Sequence, residues 1–235
     1  MEKFAVVTGA ASGIGAYVSL KLAQSNYVVY AIDITKIEKS KNIIPITVDL
    51  SDELATNKAF QSINKIDIAI NCAGIPALRK PVIELSLKEV NDNWRLNFSM
   101  AFNALKNELA IMRKIDTRKT RKIINIASIS AHKGMKHMLT YSAAKASIVN
   151  LTKIAAIENS EHKILINSIS PATIDTPWIY KKYNGKLRDY SNVFYTKNCG
   201  TVDDIYSGIQ LFITNEFLTG YDLKMDGGIT DLCVI

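Results

Sequence analysis

Tyr141 and Lys145 stand four residues apart in the run Tyr141-Ser-Ala-Ala-Lys145, and Ser128 lies thirteen residues upstream. A hydroxyl, a phenol and an ammonium in that order can move a proton to or from a substrate oxygen. On a helix, positions i and i+4 project from one face, so the phenol and the ammonium share a side. A neighbouring cation favours phenolate, so the tyrosine's pKa is expected to fall from about 10 toward working pH, where a general acid or base acts best. The same spacing recurs at Tyr17 and Lys21, but thirteen residues before Tyr17 stands Phe4, which offers no polar chemistry. Tyr17 and Lys21 are therefore read as a surface pair on the first helix.

Short runs rich in Val and Ile must carry these groups. They cover Lys3 to Thr8, Tyr27 to Ile32, Ile43 to Val48, Ile66 to Asn71, Lys122 to Ile126, Ile164 to Ile169 and Tyr221 to Met225, with helical patterns between them. Strands alternating with helices predict a mostly parallel, seven-stranded α/β sheet covered on both faces, and right-handed crossovers make it doubly wound. The 235 residues, 48% of them hydrophobic, fit one domain over 1–235. Only the stretch from Pro177 to Cys199 breaks the alternation. It is aromatic without a clean period and is expected to form a lid over about 177–199.

After the first strand comes Thr8-Gly9-Ala-Ala-Ser12-Gly13-Ile14-Gly15. Gly9 permits a sharp turn, and Gly13 and Gly15 let a pyrophosphate approach the amino terminus of a helix, where free N–H groups and the helix dipole favour negative charge. A structural turn without a ligand is the alternative. Asp33 closes the second strand in Tyr30-Ala-Ile-Asp33-Ile34. A carboxylate there accepts hydrogen bonds from ribose hydroxyls and repels a 2′-phosphate, so NAD is expected and NADP is disfavoured. Neither Ser12 nor Ile34 supplies the cation that a phosphate would want.

With these residues placed, the chain resembles the short-chain dehydrogenase/reductase family in its compact branch. Further motifs of that family stand in order: Asp49 and Leu50 in Val48-Asp49-Leu50, the run Asn71-Cys-Ala73-Gly74, Asn97 in Leu96-Asn97-Phe98, Pro171 to Thr176, and Asp226-Gly-Gly228. The resemblance implies a Rossmann-type fold and a set of roles. Tyr141 would be the acid or base on the substrate oxygen, and Ser128 would orient that oxygen. Lys145 would lower the tyrosine's pKa and hold the nicotinamide ribose, while Asn97 would hold a water that relays protons. Gly9, Ser12, Gly13, Ile14, Gly15, Asp33, Asp49, Leu50, Asn71, Ala73 and Gly74 would contact the nucleotide, and Pro171, Ile174 and Thr176 would frame the nicotinamide. Two departures stand out: Cys72 replaces the second Asn of the family's Asn-Asn-Ala-Gly, and Ala172 replaces the Gly that usually follows the proline. Cys72 is read as an inert small hydrophobe at a strand end.

Family substrate pockets draw on residues after the serine, residues before the tyrosine, and the lid. Here His132, Met138 and Trp178 are the candidate substrate contacts beside Ser128 and Tyr141. The lid also carries Lys181, Lys182, Lys186 and Arg188 against only Asp189. Exposed charge on a loop and steering of an anionic substrate are both consistent with that composition.

Composition narrows the setting. Cys72, Cys199 and Cys233 are odd in number and widely spaced, which suits neither a disulfide framework nor a metal site. No apolar run has the length of a membrane span, and the first strand begins at Lys3 without room for a signal peptide, so a cytoplasmic location is expected. The net charge of +7 is densest between Arg113 and Lys122, at the sheet edge opposite the expected ligand face, so no nucleic-acid partner is expected. The leading reading is an NAD-dependent oxidoreductase acting on a small-molecule secondary alcohol or ketone. A 3-oxoacyl-thioester reductase is the second enzymatic reading, and a non-catalytic dinucleotide-binding regulator or structural subunit is the alternative of another class. A homodimer or homotetramer is expected: the resemblance implies assembly through two long helices, here from about Leu87 to Arg113 and from about Thr140 to Ser160, and the second carries more apolar positions than one core-facing stripe needs.

Overall fold

Alternation along each strand decides which face of the sheet a side chain enters. In β1 (Lys3–Thr8), Ala5 and Val7 join one apolar cluster and Val6 the other. The split repeats in β4 (Ile68–Asn71), where Ile68 and Ile70 oppose Ala69, and in β6 (Ile164–Pro171), where Ile169 opposes Ile164 and Ile166. Runs that read as continuously apolar are thus two alternating sets, one for each covered face. The computed structural model describes residues 2–115, 119–177, 179 and 189–232.

The other strands are β2 (Tyr27–Asp33), β3 (Ile43–Thr47), β5 (Arg121–Ile126) and β7 (Asp222–Met225). They form one seven-stranded sheet in the order β3-β2-β1-β4-β5-β6-β7, and every neighbouring pair is parallel. The fold is Rossmann-like. Pro45 is tolerated in β3 because that strand lies at the sheet edge, where one side of its backbone needs no ladder partner. On one face Val18 and Leu22 of α1 (Gly13–Gln24) pack beside Ile205, Ile209 and Phe212 of α6 (Val202–Thr214). On the other lie Phe60 of α2 (Glu53–Phe60), Leu105 and Met112 of α4 (Met100–Met112), and Ala155 of α5 (Leu139–Glu158).

One expectation from the pattern needs correction. The helix anticipated from Leu87 to Arg113 is α3 (Leu87–Trp94) and α4 joined by a wider π-helical turn, Arg95–Ser99. Within it the Asn97 amide donates to the Asn93 carbonyl at 3.1 Å, competing with the regular backbone ladder. Such turns often occur where a helix must aim a particular side chain.

Chain order reverses between β1 and β4, and there a cleft of about 920 Å³ opens at the carboxyl ends of the strands. The turns after β1, β2, β4, β5 and β6 all feed it.

Candidate active site

Ser128 follows β5 in extended conformation and caps a short 3₁₀ turn, Ile129–Ala131, accepting the Ser130 N–H at 3.3 Å. Tyr141 and Lys145 lie in the first turns of α5, on the face turned toward Ser128 and the end of β5. Lys145 is buried, its Nζ donates to the Ile126 carbonyl at 2.9 Å, and it sits 5.6 Å from the centre of the Tyr141 ring. Asn97, fully buried, accepts the Ile75 N–H at 3.3 Å. Gly74 has no side chain between Asn97 and Lys145, since a Cβ there would lie 2.9 Å from Asn97 Oδ1 and 3.6 Å from Lys145 Nζ. Ser128, Tyr141, Lys145 and Asn97 all line the cleft.

The expected fall in the tyrosine's pKa is not what the geometry produces. Burial pushes the Tyr141 phenol above its ordinary value of 10, and a hydrogen bond with Ser128 acts only partly against it. Burial also lowers Lys145 itself to about 8. Tyr141 is therefore a neutral phenol at pH 7.

At the other end of the cleft, Gly9 has a φ of +66°, and a Cβ on it would approach the Ala73 nitrogen to 2.9 Å. The glycine is needed both for the turn and for contact with the strip after β4. Gly15 lines the cleft as well, and a Cβ there would run into the Gly9 carbonyl, so its bareness also lets the helix pack on the preceding loop. The first turn of α1 has no acidic residue and Ser12 makes no side-chain cap, whereas α2, α3 and α6 are capped by Asp52, Ser86 and Thr201. The first N–H groups of α1, which face the glycine loop, thus have no side-chain cap among the described residues. Asp33 accepts the N–H groups of Ala11, at 3.0 Å, and Thr35, at 2.9 Å, which fixes its carboxylate beside the glycine loop. Asp49 accepts the Ser51 N–H at 2.9 Å, and a hydrogen bond with the Ser51 hydroxyl, helped by that backbone bond and the nearby Arg95, holds its pKa below the usual range. Ser12, Ile14, Leu50, Ala73, Pro171, Ile174 and Thr176 line the same cleft, and Thr176 hydroxyl donates to the Ile174 carbonyl at 3.4 Å.

Asn71 turns away from the cleft into a buried polar chain. It accepts from the Thr8 hydroxyl at 3.4 Å and donates to Asn125 at 3.0 Å and to Glu108 at 2.9 Å, and Asn125 donates on to Thr152 at 2.9 Å. The Thr8 hydroxyl in turn receives the Ala73 N–H at 3.2 Å. Glu108 has no exposed surface, and its Oε1 has no hydrogen-bond partner among the described residues. Burial pushes its carboxyl up to about 8.

The sequence-derived substrate contacts divide. Met138 lines the cleft. His132 does not: its Nε2 lies 2.7 Å from Asp222 Oδ2 and 3.3 Å from the Ser170 hydroxyl, which ties the turn after Ser128 to β7 and β6. Trp178 and the basic lid residues Lys181, Lys182, Lys186 and Arg188 lie outside the described residues. Cys72 lines the cleft, and burial pushes its thiol up to about 12, which makes it a poor nucleophile. The sequence reading missed Arg79, Met135 and Ile229, which also form the cleft wall. Ile229 is held there by Lys133, whose Nζ donates to its carbonyl at 3.0 Å, a contact between loops far apart in the chain. Tyr17 and Lys21 bridge α1 to α6 through Asp203, with the Tyr17 hydroxyl 2.6 Å from the carboxylate. Among the described residues no helix is long and apolar enough to cross a membrane, and no cluster of His, Cys, Asp and Glu could hold a metal ion.

A parallel sheet with a nucleotide-type cleft at its switch point, and a Ser, Tyr and Lys at one end of it, defines a class of oxidoreductases. Comparison with known proteins makes the class specific: residues 3–186 match the family model for short chain dehydrogenases, and the chain belongs to that family. It is 29% identical to a 3-oxoacyl-(acyl-carrier-protein) reductase, FabG, of Buchnera aphidicola, over 97% of each chain. Against L-2,3-butanediol dehydrogenase of Corynebacterium glutamicum the identity is 27%, over 97% of this chain and 99% of the relative. Among solved structures, ElxO with NADP bound superposes with a TM-score of 0.89 at 27% identity, over 99% of this chain and 100% of that one. A 4-hydroxyisoleucine dehydrogenase complexed with NADH gives 0.85 at 27% identity, with the same coverage.

Proposed function

We propose that this chain is an NAD-dependent oxidoreductase that interconverts a secondary alcohol and a ketone, with Tyr141 as general acid and base. The observation that carries the reading is the convergence of Ser128, Tyr141, Lys145 and Asn97 at one end of a cleft whose other end is the glycine loop with Asp33. The residues present fit a dinucleotide. The uncapped N–H groups of α1 would hold a pyrophosphate, Asp33 the adenosine ribose, and Lys145 the nicotinamide ribose. ElxO has NADP and 4-hydroxyisoleucine dehydrogenase NADH at the same 27% identity, so the preference for NAD rests on Asp33, whose charge opposes a 2′-phosphate.

When bound, the nicotinamide supplies the donor or acceptor of hydride. In reduction Tyr141 gives its phenolic proton to the substrate oxygen, and in oxidation it takes that proton back. Ser128 hydrogen-bonds the same oxygen and fixes its distance from the phenol. Asn97 would hold the water through which the proton leaves past Lys145. Because burial keeps the phenol protonated, reduction has its acid in place at neutral pH, while oxidation gains from higher pH.

The test is an absorbance assay at the nicotinamide band with both nucleotides and a panel of sugars, cyclic alcohols, hydroxysteroids and oxoacyl compounds. Tyr141→Phe removes the proton donor and leaves the ring to pack. It should keep NAD binding and lose on the order of 10²–10⁴ in turnover. Turnover within a few-fold of the parent would overturn the assignment.

A further inference from the structure

The charged residues lining the cleft are segregated. Asp33 and Asp49 are its only lining carboxylates among the described residues, and both lie on the nucleotide side, joined through the pairing of β2 with β3. Arg79 and Lys145 are the lining cations. Lys145 is buried and committed to the Ile126 carbonyl. Arg79 is exposed at the rim and makes no hydrogen bond or ion pair among the described residues.

The backbone beside it is tied to the segment that leads into α5. The next residue, Lys80, donates its backbone N–H at 3.0 Å to the carbonyl of His137, four residues before Tyr141. The Lys80 ammonium is neutralised by Glu89 at 2.9 Å, which pins the strap from its other side. Among the described residues Arg79 is therefore the uncompensated cation of the pair, on a strap tied through Lys80 to the segment that leads to Tyr141. The cleft wall also includes the apolar side chains of Met135, Met138, Val193, Phe194 and Ile229.

We propose that the substrate bears a carboxylate that pairs with Arg79, on an otherwise apolar chain: an oxo acid or its hydroxy acid. This deepens the oxidoreductase reading and rests on it. A guanidinium presents a planar fork of donors that matches a carboxylate with two parallel hydrogen bonds, and a neutral ketone or a sugar offers it no such partner. Apolar walls would carry the carbon chain and would give nothing to a polyol.

The experiment pairs kinetics with binding. Oxohexanoates differing in the place of the oxo group are compared with their methyl esters, using NADH and the parent, Arg79→Met and Arg79→Lys proteins. At least one acid should exceed its ester in kcat/KM by roughly 10- to 100-fold, a ratio that collapses toward one in Arg79→Met, mainly through KM, and recovers in part in Arg79→Lys. Added salt should erode the same ratio. In parallel, straight-chain monocarboxylates from propanoate to decanoate and their amides are titrated by calorimetry into the NADH-loaded proteins. Carboxylate binding that weakens about tenfold or more in Arg79→Met supports the assignment even where no compound is turned over, in which case only the proposed reaction falls. Equal kcat/KM for acids and esters, or equal binding of carboxylates and amides across the series, overturns Arg79 while leaving the reaction intact.

Discussion

Replacing Glu108 with glutamine should remove a large pH dependence from the stability of this protein. Glu108 lies on α4 with no exposed surface, its Oε2 accepts the Asn71 amide at 2.9 Å, and its Oε1 has no partner among the described residues. Burial lifts its pKa from 4.5 to about 8, with the Asn71 bond acting weakly the other way. The folded chain thus keeps a proton that the unfolded chain releases above its ordinary pKa. Its stabilising effect is complete below 4.5 and is lost as pH rises toward about 8. At about 1.4 kcal/mol per pKa unit, the loss amounts to roughly 5 kcal/mol, and burial leaves no solvent to screen it. Glutamine has nearly the same shape, still offers a carbonyl to Asn71, and has nothing to ionise. Urea unfolding of parent and variant at intervals from about pH 5 to pH 9 gives the difference in stability, from which other titrating groups cancel. The variant should gain on the parent by on the order of 3–5 kcal/mol across that range, levelling off above about pH 8. A difference that stays constant with pH would show that Glu108 is ionised in the folded protein, and the reasoning from burial would be wrong.

Asp33→Ala should weaken NADH binding by on the order of tenfold or more and narrow the gap to NADPH, as read by fluorescence titration of the two nucleotides. A parent that binds NADPH more tightly than NADH would contradict the role given to that carboxylate. Ile154 and Ile157 on α5 are 46% and 76% exposed, and Trp94, Phe98 and Phe102 stack in succession along α3, the π turn and α4. These faces suggest a two-fold contact, so light scattering should give a multiple of 26.1 kDa at micromolar concentration, and Ile154→Glu should shift it toward one chain.

The strands were legible because their apolar runs are short and bounded, and the nucleotide loop because glycine at Gly9 and Gly15 answers a steric demand visible in the residue type. Ser128, Tyr141 and Lys145 were legible as a spacing, but their electrostatics were not. Whether a cation stabilises a phenolate depends on how deeply both are buried and on what else the cation bonds, and spacing is silent on depth. Glu108 had no signal at all, since a single glutamate in a helical pattern reads as solvated. His132 shows the same gap from the other side: its partner Asp222 lies ninety residues away, on a strand that the turn after Ser128 meets only in the folded sheet. Arg79 and Ile229 reach the cleft from loops whose course no local pattern fixes.

The π turn between α3 and α4 has a consequence for how this stretch of chain can change over generations. A π turn is an α-helix with one residue too many, and each residue of an α-helix advances the azimuth by about 100°. Removing one residue between Arg95 and Ser99 would restore a regular helix, but it would also swing everything on one side of the gap by that angle. Either Asn97 would leave its place beside Gly74, or the buried faces of α3 and α4 would lose phase with each other. Substitution is open to many positions here, whereas changes of length are closed. The interval from Ser86, which caps α3, to Met112, which ends α4 in the core, should therefore act as a fixed ruler.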